Sequence, residues 1–214
     1  MSGQRALAFE PPPRLDPAGR AAAYARAFPQ FPGSHFHAAG RTQQALWVLG
    51  NNYRGTGYYG AYPGGLLRRL WALYPDAARA VHVCSGSLPP QTRGVRVDLR
   101  HAIPVGDGVV RPDVVGDVQA LPFVDGAFDL ALADIPYGAR HAERYGTPMP
   151  SRRRVVAAVR RALAARGQLS WLDTKLPMYR KDQWLLWGLV VVVVSTNHDV
   201  RLLSLFERRD GETT

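Results

Sequence analysis

Phe128-Asp129-Leu130-Ala131-Leu132-Ala133-Asp134-Ile135-Pro136-Tyr137 reads as a short apolar strand closed by an acid, a proline and an aromatic ring. Pro136 has no N–H to give to a sheet ladder, so the strand stops before it and its last residues stand at the sheet's carboxyl edge. Two chemical groups are presented there. Asp134 is an oxygen acceptor for an amine N–H, and Tyr137 is a flat face on which a planar molecule can stack. Alone, the four-residue ending describes a plain strand-terminating turn equally well. A second stretch, Val81-His82-Val83-Cys84-Ser85-Gly86-Ser87, strengthens it: a strand followed by a glycine turn, where the backbone can approach a nucleotide-type cofactor closely.

Working outward, Ala80 to Val83, Gly94 to Asp98, Asp113 to Gly116, Phe128 to Ala133 and Gln168 to Leu172 are expected as five strands. Leu189 to Ser195 and Val200 to Glu207 flank Thr196-Asn197-His198-Asp199 and form a final antiparallel hairpin. Asp16 is a plausible N-cap for a short helix ending near Phe28, and Leu66 to Tyr74 has helical spacing ended by Pro75. Another helix starts at Ser151 and runs to a stop at Gly167. Strands separated by crossovers and closed by a hairpin imply an α/β, Rossmann-like fold with a mostly parallel sheet. Ser87 to Arg93 is too short, and too broken at Pro89-Pro90, for a crossover helix after the first strand, since parallel neighbours normally need a dozen or more connecting residues. That helix is expected to be missing, with N-terminal helices or a partner subunit covering the bare face. Residues 1–57 read as an N-terminal arm and helices packing on the core, and residues 58–214 as the main domain.

The 214 residues suit one domain with a real core, and 46% hydrophobic content is ordinary for a globular protein. One cysteine allows neither an internal disulfide nor a multi-cysteine metal site, and favours a reducing, cytoplasmic setting. His35, His37, His141 and His198 have no ligand spacing that argues for zinc, so no metal is expected. Trp184 to Val194, the longest apolar stretch, is far short of a membrane span. Formal charge is +10, which suits a polyanionic partner. Almost all of the cations are arginine, with lysine only at Lys175 and Lys181, so compositional bias is an alternative source of the charge.

The pattern resembles class I S-adenosylmethionine-dependent methyltransferases over roughly residues 58–208. More narrowly, it is similar to the nucleic-acid amino-methyltransferases, whose catalytic motif is Asp/Asn-Pro-Pro-Tyr/Phe/Trp. Cys84, Ser85, Gly86 and Ser87 match the cofactor turn, and Asp98 matches the acid closing the second strand. Asp117 and Val118 match the third motif, and Asp134, Ile135, Pro136 and Tyr137 the catalytic one. The segment from Tyr59 to Leu67 resembles a tyrosine-glycine stretch that some of these enzymes carry before the cofactor turn. Three departures stand out: His82 where the family has an acid, Leu88 where it has a second glycine, and Ile135 in place of the first proline.

The resemblance implies S-adenosyl-L-methionine as cofactor. Asp98 would accept the ribose hydroxyls, or else pair with Arg96 or Arg100. Asp117 would accept from the adenine amine with Val118 near the ring, or else cap its own turn. Asp134 and the carbonyl of Ile135 would take hydrogen bonds from the target amine, Pro136 would hold the turn, and Tyr137 would stack on a base. Arg152 and Arg153, in an arginine cluster on the helix after Ser151, could contact phosphates or form a solvated face. Tyr59 and Tyr62, interleaved with Arg54 and glycines, suit a substrate-facing loop of stacking rings or the core. The expected function is methylation of an exocyclic amine in DNA or RNA, with adenine N6 or cytosine N4 of DNA favoured. The alternatives are a small-molecule or protein methyltransferase, and an inactive nucleic-acid-binding relative. Nucleic acid is the expected partner, a membrane is not, and a homodimer is left open.

Overall fold

The computed structural model describes residues 14–30, 36–51, 61–195 and 199–209. In chain order the elements are α1 (Pro17–Ala27), β1 (His37–Ala39), β2 (Thr42–Leu49), α2 (Leu66–Leu73), β3 (Ala80–Val83) and β4 (Val95–Asp98). There follow β5 (Ile103–Val105), β6 (Gly108–Val110), β7 (Val114–Val115), β8 (Phe128–Asp134), α3 (Ala139–Arg144) and α4 (Arg152–Ala162). The chain ends with β9 (Leu163–Asp173), β10 (Trp184–Val194) and β11 (Val200–Arg208).

Nine strands form one sheet in the order β1-β2-β10-β11-β9-β8-β3-β4-β7, while β5 and β6 make a separate hairpin. The pairings β4–β7, β3–β4, β3–β8 and β8–β9 are all parallel. The direction of winding reverses between β3 and β8, which creates the switch-point crevice of a doubly wound sheet at the strands' carboxyl ends. β11 runs antiparallel between β9 and β10, so the C-terminal hairpin turns back at the same edge. The α/β, mostly parallel architecture expected from the sequence is the one found.

Side chains alternate between the two faces of the sheet. One face carries Leu130, Leu132, Leu172, Val190, Val192, Leu203 and Leu205, covered by Tyr24 and Phe28 of the α1 region and Leu66, Leu70 and Leu73 of α2. The other carries Val81, Val83, Ala131, Ala133, Leu169 and Trp171, covered by Val155, Val156, Val159 and Ala162 of α4. Asp16 caps α1 by accepting from Gly19 N–H at 2.7 Å. Buried Arg20 ties α1 to the end of α2, forking onto Asp76 at 2.7 and 3.0 Å and reaching the Leu73 carbonyl at 3.2 Å. Removing one partner of such a buried pair typically costs about 3–5 kcal/mol.

No helix links β3 to β4. The connection at residues 84–94 is held instead by hydrogen bonds from Ser85 N to Val97 O (2.8 Å), Leu88 N to Ser85 O (3.2 Å) and Arg96 Nη1 to Leu88 O (2.8 Å). His82 Nε2 lies 2.9 Å from the Arg93 carbonyl, and the Arg93 guanidinium rests 4.4 Å over the Trp71 ring of α2. The N-terminal helices therefore cover the face that the short connection leaves bare.

The structure adds one strand that the sequence reading left unassigned and corrects two element boundaries. Residues 42–49 form a strand, β2, parallel to β10, burying Trp47 and Leu49. The helix after Ser151 stops at Ala162, not at Gly167, because Leu163 already pairs with Phe128 in the sheet. Strand β10 begins at Trp184, five residues before the expected Leu189. No helix among the described residues is long and apolar enough to cross a membrane.

Candidate functional site

Register decides the site. Val83 pairs with Ala133 on one side and Val97 on the other, so Cys84, Asp134 and Asp98 are brought abreast at the carboxyl edge. Asp98 in turn pairs with Val115, placing Gly116 and Asp117 next along the same edge. These strand ends line one cavity of about 510 Å³, with walls that include Cys84, Gly86, Asp98, Leu99, Arg100, Asp117, Val118, Asp134, Ile135, Pro136 and Tyr137. That volume is in the range of small-molecule and cofactor sites. The remaining wall comes from Asn51, Ala61, His141, Tyr145, Thr174, Asp199 and Arg201, among others.

The turn after β3 is bent into the cavity by two left-handed residues, Cys84 at φ 61 and Gly86 at φ 54. A non-glycine residue in that region costs on the order of 1–3 kcal/mol and persists only where the surroundings impose it. The turn is held on both sides of that strain, by Ser85 N on the Val97 carbonyl at 2.8 Å and by Asp98, whose Oδ2 accepts the Gly86 N–H at 3.0 Å. Its Oδ1 accepts from Arg100 N and Nε at 3.1 and 3.3 Å, so the pairing with Arg100 is real and coexists with a place in the cavity wall. An ionised carboxylate has about four lone-pair sites, which leaves Asp98 acceptor capacity toward the cavity. Ser85 and Ser87 are buried beside the turn, outside the cavity lining.

Asp117 caps its own turn, accepting from Gln119 N at 2.8 Å, and still lines the cavity from an exposed position. Val118 is buried behind it. Burial, with the nearby carboxylates of Asp98 and Asp134, pushes the Cys84 thiol well above its usual range.

At the other end of the cavity, Tyr137 donates its hydroxyl to Asp134 Oδ1 at 2.7 Å. Burial raises the Asp134 carboxyl to about 6, while Arg201 and the Tyr137 hydrogen bond pull it the other way. The Arg201 guanidinium lies 5.0 Å over the Tyr137 ring, and the His141 ring approaches it at 5.4 Å and 64°. Tyr137 is thus more enclosed than a free stacking platform: one face is taken by Arg201. Ile135 is buried against the α4 face and, with Pro136, lines the cavity.

Three expected substrate contacts fall elsewhere. Arg152 forks onto Asp173 at 2.6 and 3.1 Å and donates to the Tyr137 carbonyl at 2.9 Å, so it is a strut under the loop that carries Tyr137, with its guanidinium engaged inside the protein. Tyr62 is buried in the core with its hydroxyl on the Leu132 carbonyl at 3.3 Å. Arg153 is exposed on α4, away from the cavity lining. Tyr59 lies outside the described residues. Elsewhere in the cluster Arg161 is committed to Asp125 and to the Leu121 and Phe123 carbonyls, and Arg160 to the Arg209 carbonyl. His82 and Leu88, the two departures in the cofactor turn, both point into the core. Sequence reasoning weighed Arg100 only as a partner of Asp98 and missed Thr174 and Arg201, because sheet register alone brings β4, β9 and β11 to one edge.

No protein-family model matches the chain, and no curated protein matches it. Among solved structures it is similar to the 1,6-didemethyltoxoflavin-N1-methyltransferase of Burkholderia thailandensis, with bound 1,6-didemethyltoxoflavin and S-adenosylhomocysteine. That likeness has 13% identity and a TM-score of 0.42 over 63% of this chain and 72% of the other. The PH0226 protein from Pyrococcus horikoshii OT3 is also similar, at 13% identity and TM-score 0.38 over 67% and 88% of the two chains. Both likenesses are remote, so the chemistry rests on the site's own residues.

Proposed function

We propose that the protein is an S-adenosylmethionine-dependent methyltransferase acting on a ring-borne amine. The observation that carries this is the convergence, on one cavity, of a glycine turn, a strand-end acid at Asp98 and the Asp134–Tyr137 pair. The residues present fit the cofactor. Asp98 keeps acceptor capacity for a ribose, and Leu99 and Val118, which line the same cavity as Asp117, offer apolar surface for an adenine ring. Gly86 adopts its left-handed backbone without the steric cost that a side chain would add. The amino-acid end of the cofactor has less support, since the turn begins no helix and its His82 faces inward.

When bound, S-adenosylmethionine would supply an electrophilic methyl group for the acceptor nitrogen, the C–S bonding pair staying on sulfur. Asp134 accepts an N–H of the acceptor, orients the nitrogen lone pair toward the cofactor end of the cavity, and takes the proton that the methylated nitrogen sheds. Positioning of this kind can supply about 7–11 kcal/mol of the barrier in a two-substrate transfer. With a carboxyl near 6, Asp134 is mostly ionised at neutral pH and only weakly basic, which suits a proton lost after the nitrogen has become cationic.

The finer reading is an exocyclic amine of a nucleobase presented singly, either flipped from a duplex or from an unpaired strand. The +10 charge supports a polyanionic partner. A small planar amine is the second reading, favoured by the engagement of Arg152, Arg160 and Arg161 in internal contacts instead of on an open phosphate-binding face. Tritiated-methyl transfer over DNA, RNA and small-molecule pools, run beside Asp134→Ala, separates them. Label in nucleic acid, lost in the variant, is the expected result. Transfer undiminished in Asp134→Ala would remove the mechanism.

A further inference from the structure

The geometry points to Arg201 as the positioning residue of the acceptor end, holding the Tyr137 ring and, through its hydroxyl, the carboxylate of Asp134. The inference rests on the methyl-transfer reading for its purpose, but not for its test. Arg201 enters from β11, whose neighbour Leu202 pairs with Asp173 at the end of β9. Asp134 pairs with Leu172 from the other side of β9, so one strand separates the guanidinium from the acid. The side chain lines the cavity with its Cζ 5.0 Å over the Tyr137 ring, and the Tyr137 hydroxyl is 2.7 Å from Asp134. The other cavity arginine, Arg100, is paired with Asp98, whereas Arg201 has no carboxylate within ion-pair distance among the described residues.

The titratable groups around Asp134 come from each neighbouring element. Tyr62 and Cys84 stand before and after β3, Tyr137 is on the same loop, Asp173 ends β9 and Arg201 opens β11. Of these five, Arg201 alone is a cation; Asp173 acts in the opposite sense on Asp134. A cation–π contact over a tyrosine fixes the ring's plane as well as its place. Arg201 therefore does two separable things. Its planar head sets the Tyr137 ring and, with it, the hydroxyl that aligns Asp134. Its charge keeps Asp134 available as an acceptor near neutral pH. An amine entering the cavity then meets an ionised oxygen already turned toward it.

The experiment is a carbon-13 carboxyl NMR titration of Asp134 in the full chain, without cofactor, for the wild type, Arg201→Gln, Arg201→Met and Arg201→Lys. The neutral variants should raise the midpoint by about one unit, the low end for losing an opposite charge nearby. Arg201→Lys should leave it within a few tenths. A midpoint unmoved in the neutral variants, or moved as far in Arg201→Lys, overturns the assignment. So does failure of both neutral variants to fold, because Arg201 would then be holding the core. Once an acceptor is identified, the acid limb of kcat should shift with the midpoint in the neutral variants, and Arg201→Lys should raise acceptor KM with that limb in place. Calorimetry with S-adenosylhomocysteine on the same four proteins tests the cofactor reading separately: no binding to any of them sinks that reading and leaves the titration result for Arg201 standing.

Discussion

Truncating Arg152 is the perturbation whose cost follows most directly from the contacts. Asp173 is fully buried, and Arg152, itself about a quarter exposed, forks onto it at 2.6 and 3.1 Å. The same guanidinium donates to the Tyr137 carbonyl at 2.9 Å, so α4 braces the loop that carries Asp134. Arg152→Ala strands a buried carboxylate, which typically costs about 3–5 kcal/mol. Thr174 N at 2.6 Å and Trp171 Nε1 at 3.3 Å remain as donors, and the arginine is partly hydrated, so the low end applies. About 3 kcal/mol corresponds to a fall in Tm of roughly 6–12 °C for a chain of this size. Urea melts followed by tryptophan fluorescence measure it, with Trp171 beside the break. Asp173→Asn in the Arg152→Ala background should recover part of the loss, because the stranded charge is then gone. A cost under about 1 kcal/mol for Arg152→Ala would refute the strut and return Arg152 to the solvent, where a phosphate could reach it.

Two further outcomes follow from the same geometry. Asp134 titrates near 6 in the fold against 3.8 for the free side chain, so between those values the native state holds a proton the unfolded chain has released. Stability should therefore fall as pH rises from about 4 to about 6, then level off. Asp134→Asn should be more stable than the wild type by of order 2–3 kcal/mol above pH 7 and nearly equal to it at pH 4; melts giving the same difference at both pH values contradict this. Cys84 is the single cysteine and lines the cavity with its thiol held protonated. Maleimide labelling should be slow and slowed further by saturating S-adenosylhomocysteine, whereas labelling indifferent to the ligand would put the cofactor elsewhere.

The fold was legible where local pattern and burial agree. The apolar runs ending at Val83 and Ala133, the N-cap at Asp16, the helix stop before Pro75, and the missing helix after Ser87 all stand in the structure as read. Strand β2 escaped because Thr42, Gln43 and Gln44 open it with polar residues, and its partner β10 is far away in sequence. The candidate site was legible as strand ends. What each side chain does there was not, because one residue type serves several purposes. Arg152 looked like a phosphate ligand and is a strut, Tyr62 looked like a substrate contact and is core, and Asp98 serves the Gly86 turn and Arg100 at once. Arg201 had no local signal at all, since only the pairing of β11 with β9 brings it to Asp134.

Titration calorimetry of S-adenosylhomocysteine into the wild type and Asp98→Ala tests the central claim most directly, because Asp98 shapes the turn and faces the cavity together. The wild type should bind one ligand per chain. Asp98→Ala should bind it more weakly by about 1.5–3 kcal/mol, the scale of hydrogen bonds to a charged group. The absence of saturable heat in the wild type, or identical affinity in the two proteins, would contradict a cofactor site at the ends of β3 and β4.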